Sequence, residues 1–321
     1  MAHFLFVKYF SIQMKAMLFA AGMGTRLKPL TDTMPKALVP VNGKPLLEHA
    51  IERLCQSGVT VVVVNVHHFA NQIKDYITSR QFDCKVMISD ESDELLDTGG
   101  GLKKAAVLLM PDRKMPCETS ILEEHYLSDS LPIKKFDRTK MSEGACEKAL
   151  ASVSVVTDDT VTDSSIVSSN LKSDGSDSIL IHNVDIFSNA DLKDFYERNK
   201  KHAVTLLVSQ RATSRYLLFN DNNELVGWTN VKTGEVRSPY PHLDVSSCHK
   251  YAFSGIHLFS PSTFALMDGF PEKFPIMDFY LSVCDKIKII GDVQPDLRLL
   301  DVGKQDTLKA AEAFLEELGR R

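Results

Sequence analysis

The chain has 321 residues, 44% of them hydrophobic, with a formal net charge of −5 and 25% charged residues. That length can bury a sizeable core in one large domain or two modest ones. The acidic balance argues against a nucleic-acid binder, no apolar run reaches a membrane span, and six scattered cysteines without a CxxC pair suit a reduced cytoplasmic protein without structural zinc.

Residues 1–13 have no positive n-region and no small-residue cleavage site before Met14, so they are expected to be an extension outside the fold. Residues 14–321 are expected to form one domain. Ala16 to Ala20 reads as a buried strand, and Ala21-Gly22-Met23-Gly24-Thr25-Arg26 follows it. Two glycines permit a tight turn without a Cβ facing a ligand. Successive backbone N–H groups in such a turn make an anion-binding concavity, and Arg26 and Lys36 add positive charge. The stretch is neither a Walker A loop nor a GxGxxG fingerprint, and Pro29 discourages an immediate long helix.

Leu46, Leu47, Ala50, Ile51 and Leu54 have helical spacing, and Val59 to Val64 reads as a strand buried on both faces. Asn65, His67 and His68 follow it. A histidine pair without a cysteine or acid at ligand spacing reads as structural. Ala70 to Ile77 reads as a helix and Lys85 to Ser89 as a strand. The alternation predicts a Rossmann-like, doubly wound α/β sheet, mostly parallel, with helices on both faces and ligands outside the carboxyl ends of its strands. Asp97-Thr98-Gly99-Gly100-Gly101 is expected to precede a helix from about Leu102, its glycines admitting close ligand approach.

Residues 116–177 turn rich in Ser, Thr and Asp and read as a mobile insertion. Order returns at Ser178 to His182, a strand ending in Asn183-Val184-Asp185. A helix over Leu192 to Asn199 and a strand over Val204 to Ser209 follow. Tyr216 to Phe219 and Leu225 to Trp228 flank a hairpin-like turn at Asn220 to Asn223. Phe253 to Phe259 reads as a strand, Phe279 to Asp285 as a helix, and Leu297 to Asp301 as a short apolar segment ending in an acid. A last helix from about Thr307 has Asp306 as candidate cap and Gly319 as stop.

GxGTRLxPLT followed by PKALVPV resembles the signature of the sugar-1-phosphate nucleotidyltransferases. The resemblance covers nearly all of the chain except residues 1–13 and the insertion. It implies transfer of a nucleotidyl group from a nucleoside triphosphate to a sugar 1-phosphate, with magnesium as cofactor. By similarity, Ala21, Gly22, Met23, Gly24 and Thr25 would hold the nucleotide, and Thr98, Gly99 and Gly100 would approach the base. Arg26, Lys36 and Asp185 would be catalytic. Asp185 and Asp301, the latter in Asp301-Val302-Gly303, would hold the metal. Candidate sugar contacts are Asn183, Trp228, Thr229, Asn230, Gly255 and Asp278, with Ser254 beside them. The family's acidic–lysine pair is absent around Gly227 to Asn230, which leaves the sugar open. The DTGGG form resembles the subgroup of N-acetylmuramate-1-phosphate uridylyltransferase and mannose-1-phosphate guanylyltransferase. The expected assembly is a cytoplasmic monomer or homodimer, with no nucleic-acid or membrane partner. A non-catalytic sugar-nucleotide-binding subunit and a cytidylyltransferase acting on phosphocholine remain as alternatives.

Overall fold

The computed structural model describes residues 14–110 and 178–319; the expectations for residues 1–13 and 116–177 lie outside the described residues. Strand β1 (Met14–Phe19) is followed by three single turns of 3-10 helix, and no α-helix starts there. A small ladder of β2 (Pro40–Val41) and β3 (Lys44–Pro45) leads into α1 (Leu46–Gln56). Then come β4 (Val59–Val66), α2 (Ala70–Thr78), β5 (Lys85–Asp90) and α3 (Asp97–Leu109). After the gap the chain continues through β6 (Ile179–Asn183), β7 (Ile186–Ser188), α4 (Leu192–Asn199) and β8 (Val204–Ser209). A meander of β9 (Arg215–Phe219), β10 (Leu225–Asn230) and β11 (Glu235–Arg237) precedes the long β12 (His249–Phe259). The described chain ends with α5 (Ile276–Val283), β13 (Ile289–Val293), β14 (Leu299–Asp301) and α6 (Gln305–Gly319).

The main sheet has the order β11-β10-β9-β12-β6-β1-β4-β5, with β8 paired to β12 and β13 paired to β8. Its centre, β6-β1-β4-β5, is parallel; β12 pairs antiparallel with β6, β8 and β9, and β13 lies parallel to β8. Strand β4 is almost wholly buried because both faces are covered, which is why its valines run on without alternation. One face packs against Leu47, Ile51 and Leu54 of α1, Phe195 of α4 and Ala311 of α6. The other packs against Leu102, Ala105 and Leu109 of α3 and Phe279 and Tyr280 of α5. Helices therefore cover both faces, as a doubly wound fold requires.

Three local expectations are corrected. Helix α3 starts at Asp97 rather than Leu102, so the glycine run lies inside the helix. Helix α6 starts at Gln305, which puts Asp306 in its first turn; the Thr307 hydroxyl instead ties back to the Lys304 carbonyl at 2.6 Å. Cys55, near the end of α1, and Cys84, just before β5, form a disulfide, although all six cysteines read as isolated thiols. Their 29-residue separation hides the fact that α1 and β5 both flank the amino end of β4. Among the described residues no helix is long and apolar enough to cross a membrane.

Candidate functional site

Strands β1, β4 and β6 run parallel and end together, and the connections leaving them surround a cavity of about 290 Å³. Ala20, Ala21 and Gly22 follow β1, Asn65 lies one residue before the end of β4, and Asn183 ends β6 with Val184 and Asp185 after it. Leu95, Asp97 and Thr98 form the opposite wall, and Lys36 enters from the side.

The loop after β1 is open. Gly22, Met23, Thr25 and Arg26 are exposed, and among the described residues nothing engages the N–H groups of Gly22, Met23 or Gly24. Gly24 has φ +63°, and a Cβ there would stand 2.8 Å from Thr31 and 2.9 Å from Lys36. Only glycine lets the loop turn left-handed while packing on those two side chains. The Thr31 hydroxyl and the Leu27 N–H both donate to the Gly24 carbonyl, at 2.8 and 2.9 Å, which fixes the turn. Unengaged N–H groups on a fixed, exposed turn suit phosphate oxygens.

Four charged side chains converge beside this loop. Lys36, buried, donates to the Asp185 carboxylate in an ion pair with little exposure on either side. Asp185 is joined to the carboxyl-terminal ribbon by a 2.9 Å bond from Val302 N–H to its carbonyl, and Asp301 pairs in register with Ile186. Gly303 shows how close the pieces are: a Cβ there would lie 2.7 Å from Arg26 Nη2 and 2.7 Å from Asp301 Oδ1. Asp301 stands at the exposed rim, yet partial desolvation first and the Asp185 carboxylate second raise its pKa, against the pull of Lys36 and Arg26. Two neighbouring carboxylates of this kind attract a hard cation. Among the described residues no group of three or more His, Cys, Asp or Glu comes together in a way that could hold a metal ion.

The glycine run departs from its expected role. The N–H groups of Gly99 and Gly100 both donate to the Phe274 carbonyl, at 2.8 and 3.2 Å, and Thr98 N–H donates to its neighbour Asp97. A Cβ on Gly99 would meet the Phe274 ring at 2.3 Å, and one on Gly100 the Glu272 carbonyl at 1.9 Å. These glycines admit the 272–274 segment, whose Phe274 carbonyl takes the N–H groups of Gly99 and Gly100. Thr98 keeps a place on the cavity wall, and its hydroxyl accepts from Ile276 N–H at 2.9 Å, fixing the start of α5.

The sugar candidates divide. Asn183 lines the cavity, and Gly255, at φ +79° where the β12 register shifts, lies against its amide. Trp228, Thr229, Asn230 and Asp278 do not line it. Thr229 donates to Glu235, and Asn230 caps the β10–β11 turn through Lys232 N–H. Asp278 pairs with Arg237 at 2.7 Å, and that guanidinium sits 5.9 Å from the Trp228 ring centre. Arg237 carried no motif that would have singled it out. His67 faces the Glu91 carbonyl at 2.6 Å, His68 packs on Phe69, and neither lines the cavity. His182, one residue before Asn183, is buried, and burial lowers its pKa to about 4, so it stays neutral below the loop.

Residues 15–163 match the nucleotidyl transferase family. N-acetylmuramate alpha-1-phosphate uridylyltransferase of Caulobacter vibrioides is 46% identical over 97 residues, which is 29% of this chain and 40% of that protein. Mannose-1-phosphate guanyltransferase of Neurospora crassa is 43% identical over 101 residues, 31% of this chain and 28% of that protein. The chain thus aligns with less than half the length of these relatives. The fold matches inositol-1-phosphate CTP transferase from T. maritima with a TM-score of 0.60 at 11% identity, covering 96% of each chain.

Proposed function

We propose that this chain, which carries a nucleotidyl transferase domain, joins a nucleoside triphosphate to a sugar 1-phosphate and releases pyrophosphate. One observation carries the proposal: Arg26, Lys36, Asp185 and Asp301 converge beside a loop with unengaged N–H groups, at the carboxyl end of parallel strands. An oxygen of the sugar phosphate attacks the α-phosphorus, and the bond to the leaving pyrophosphate breaks. The nucleophile is already an anion, so the site needs charge and alignment more than a base. Arg26 offers a planar fork that can engage two phosphate oxygens. The Gly22–Gly24 turn holds the triphosphate through backbone N–H groups, and Lys36 balances charge between Asp185 and the phosphates.

Asp185 and Asp301 fit magnesium, which takes oxygen ligands from one or two carboxylates, phosphates and waters. Once bound, the ion would neutralise charge on the phosphate oxygens. The same proposal takes the enzyme as a cytoplasmic monomer or homodimer; in that reducing compartment Cys55 and Cys84 would stand as thiols.

The test mixes purified protein and magnesium with UTP, GTP, CTP or dTTP and a panel of phosphorylated sugars and phosphocholine. Products are read by mass spectrometry. Pyrophosphate and a nucleotide-sugar are expected. Tight sugar-nucleotide binding without pyrophosphate would support a binding subunit instead. Asp185→Asn is expected to weaken Mn²⁺ binding, measured directly by spin resonance, and to abolish most turnover with the fold intact.

A further inference from the structure

Glu91 is the only buried acid among the described residues, fully shielded from solvent, and it does not line the cavity. It follows β5, and its backbone N–H donates to the Val66 carbonyl at 2.8 Å. Its side chain joins two other segments. Oε1 accepts from Asn65 Nδ2 at 2.8 Å, and Oε2 accepts from Leu96 N–H at 3.2 Å. Asn65 Oδ1 in turn accepts from Ala20 N–H at 2.8 Å. The bonds therefore converge on the carboxylate: Ala20 donates to Asn65, Asn65 donates to Glu91, and Leu96 donates to Glu91 from the far side.

The polarity of the line is set by the carboxylate. Ionised, it accepts at both oxygens and donates at neither. Asn65 must then turn its NH₂ toward Glu91, which leaves its carbonyl facing Ala20 N–H. Burial raises the Glu91 pKa, while Asn65, the Leu96 N–H, Lys104 and His67 favour the charged form. Space is reserved for the group as well: a Cβ on Gly101 would lie 2.7 Å from Oε1 and 3.0 Å from Asn65 Nδ2. A buried charge is expensive to keep, and apolar packing would serve stability as well.

We propose that Glu91 is a positioning residue that fixes the Asn65 amide and so holds the two walls of the cavity, Ala20 to Gly22 and Leu95 to Thr98, in register. The effect on nucleotide binding rests on the function proposed above; the lock itself does not. Asn65 and Glu91 set the position of the open loop from beneath, where its own turn contacts cannot reach.

An exchange of the amide and the carboxylate tests this. In Glu91→Gln the new amide must present N–H to one of two groups that are themselves donors, so one bond is lost. In Asn65→Asp two carboxylates face each other. In the double variant Asn65→Asp/Glu91→Gln every hydrogen bond is restored with its direction adjusted. The carboxylate now at position 65 accepts from Ala20 and from the amide now at position 91, and the carbonyl of that amide accepts from Leu96. Amide hydrogen exchange over residues 20–24 is expected to quicken about tenfold in each single variant and to return near the wild-type rate in the double. Calorimetric Kd values for UTP and GTP should weaken about tenfold in Glu91→Gln, the variant whose altered side chain does not line the cavity. A Glu91→Gln protein with wild-type exchange, or a double variant no better than the worse single, overturns the proposal. Exchange that follows the expected order while wild type binds neither nucleotide upholds the lock and removes the nucleotide reading of the cavity.

Discussion

Two glycine-rich stretches follow strands of the parallel half of the sheet, and they are filled differently. After β1, Gly22 has no atom within 4 Å of where its Cβ would be, and the surrounding N–H groups are unengaged. After β5, Gly99, Gly100 and Gly101 are buried, and their missing side chains make room for Phe274, Glu272 and Glu91. In both places glycine permits close approach. In the first, the space at Gly22 stands open; in the second, the protein occupies it. A run of glycines in a sequence shows that something comes near, and only the packing shows what.

Variants that separate the two stretches put this contrast at risk. The largest effect is expected at the open loop. Arg26→Ala should lower turnover by roughly 10²–10³ while nucleotide affinity changes little, as for loss of a donor to transition-state charge. Arg26→Lys should recover it only in part, because a lysine cannot bridge two oxygens in the same geometry. Steady-state kinetics beside calorimetric binding checks both. Normal turnover at saturation with weakened affinity would make Arg26 a ground-state contact.

At the filled stretch the expected loss is in stability. Gly100→Ala drives a methyl into the Glu272 carbonyl, 1.9 Å away, with backbone on both sides of the clash. Overpacking of this kind costs about 2–3 kcal/mol and should lower the thermal midpoint by roughly 5–10 °C. An unchanged midpoint would mean that the 272–274 segment is free to withdraw.

The smallest change is the sharpest discriminator. Gly22→Ala meets nothing within 4 Å, so stability should stay within about 0.5 kcal/mol. Its methyl nonetheless stands in the loop that faces the cavity, and nucleotide affinity should fall by roughly tenfold, about 1.4 kcal/mol. Wild-type affinity for this variant would show that the ligand does not approach the loop closely.

Much of this was readable in the sequence, for identifiable reasons. The β1 loop, Asn183-Val184-Asp185 and Asp301-Val302-Gly303 each carry their chemistry in adjacent residues, and the fold brings them together. Helix α4 and strand β8 occupy the predicted residues because their burial pattern is local. What stayed hidden depends on contacts distant in sequence. The start of α3 is decided by the Phe274 carbonyl, and the Cys55–Cys84 pairing by the meeting of two connections at one edge of the sheet. Strand β13 went unread because Gly291 and Asp292 interrupt its apolar run, although it pairs in parallel register with β8 along its whole length. Glu91 lies in a polar stretch, Ser89 to Glu94, that reads as an exposed turn, and only burial separates it from its neighbours.

The wedge of Gly303 between Arg26 and Asp301 bears on how the molecule is made. Arg26 leaves the ribosome long before Asp301, which lies far downstream in the chain. Strand β14, which carries Asp301, is joined to β7 in a ribbon of its own outside the main sheet. During synthesis the cationic loop therefore waits without its second acid until the closing ribbon has emerged and docked. A nascent chain can fold its parallel centre early, but the four charges can meet only once Asp301 has emerged.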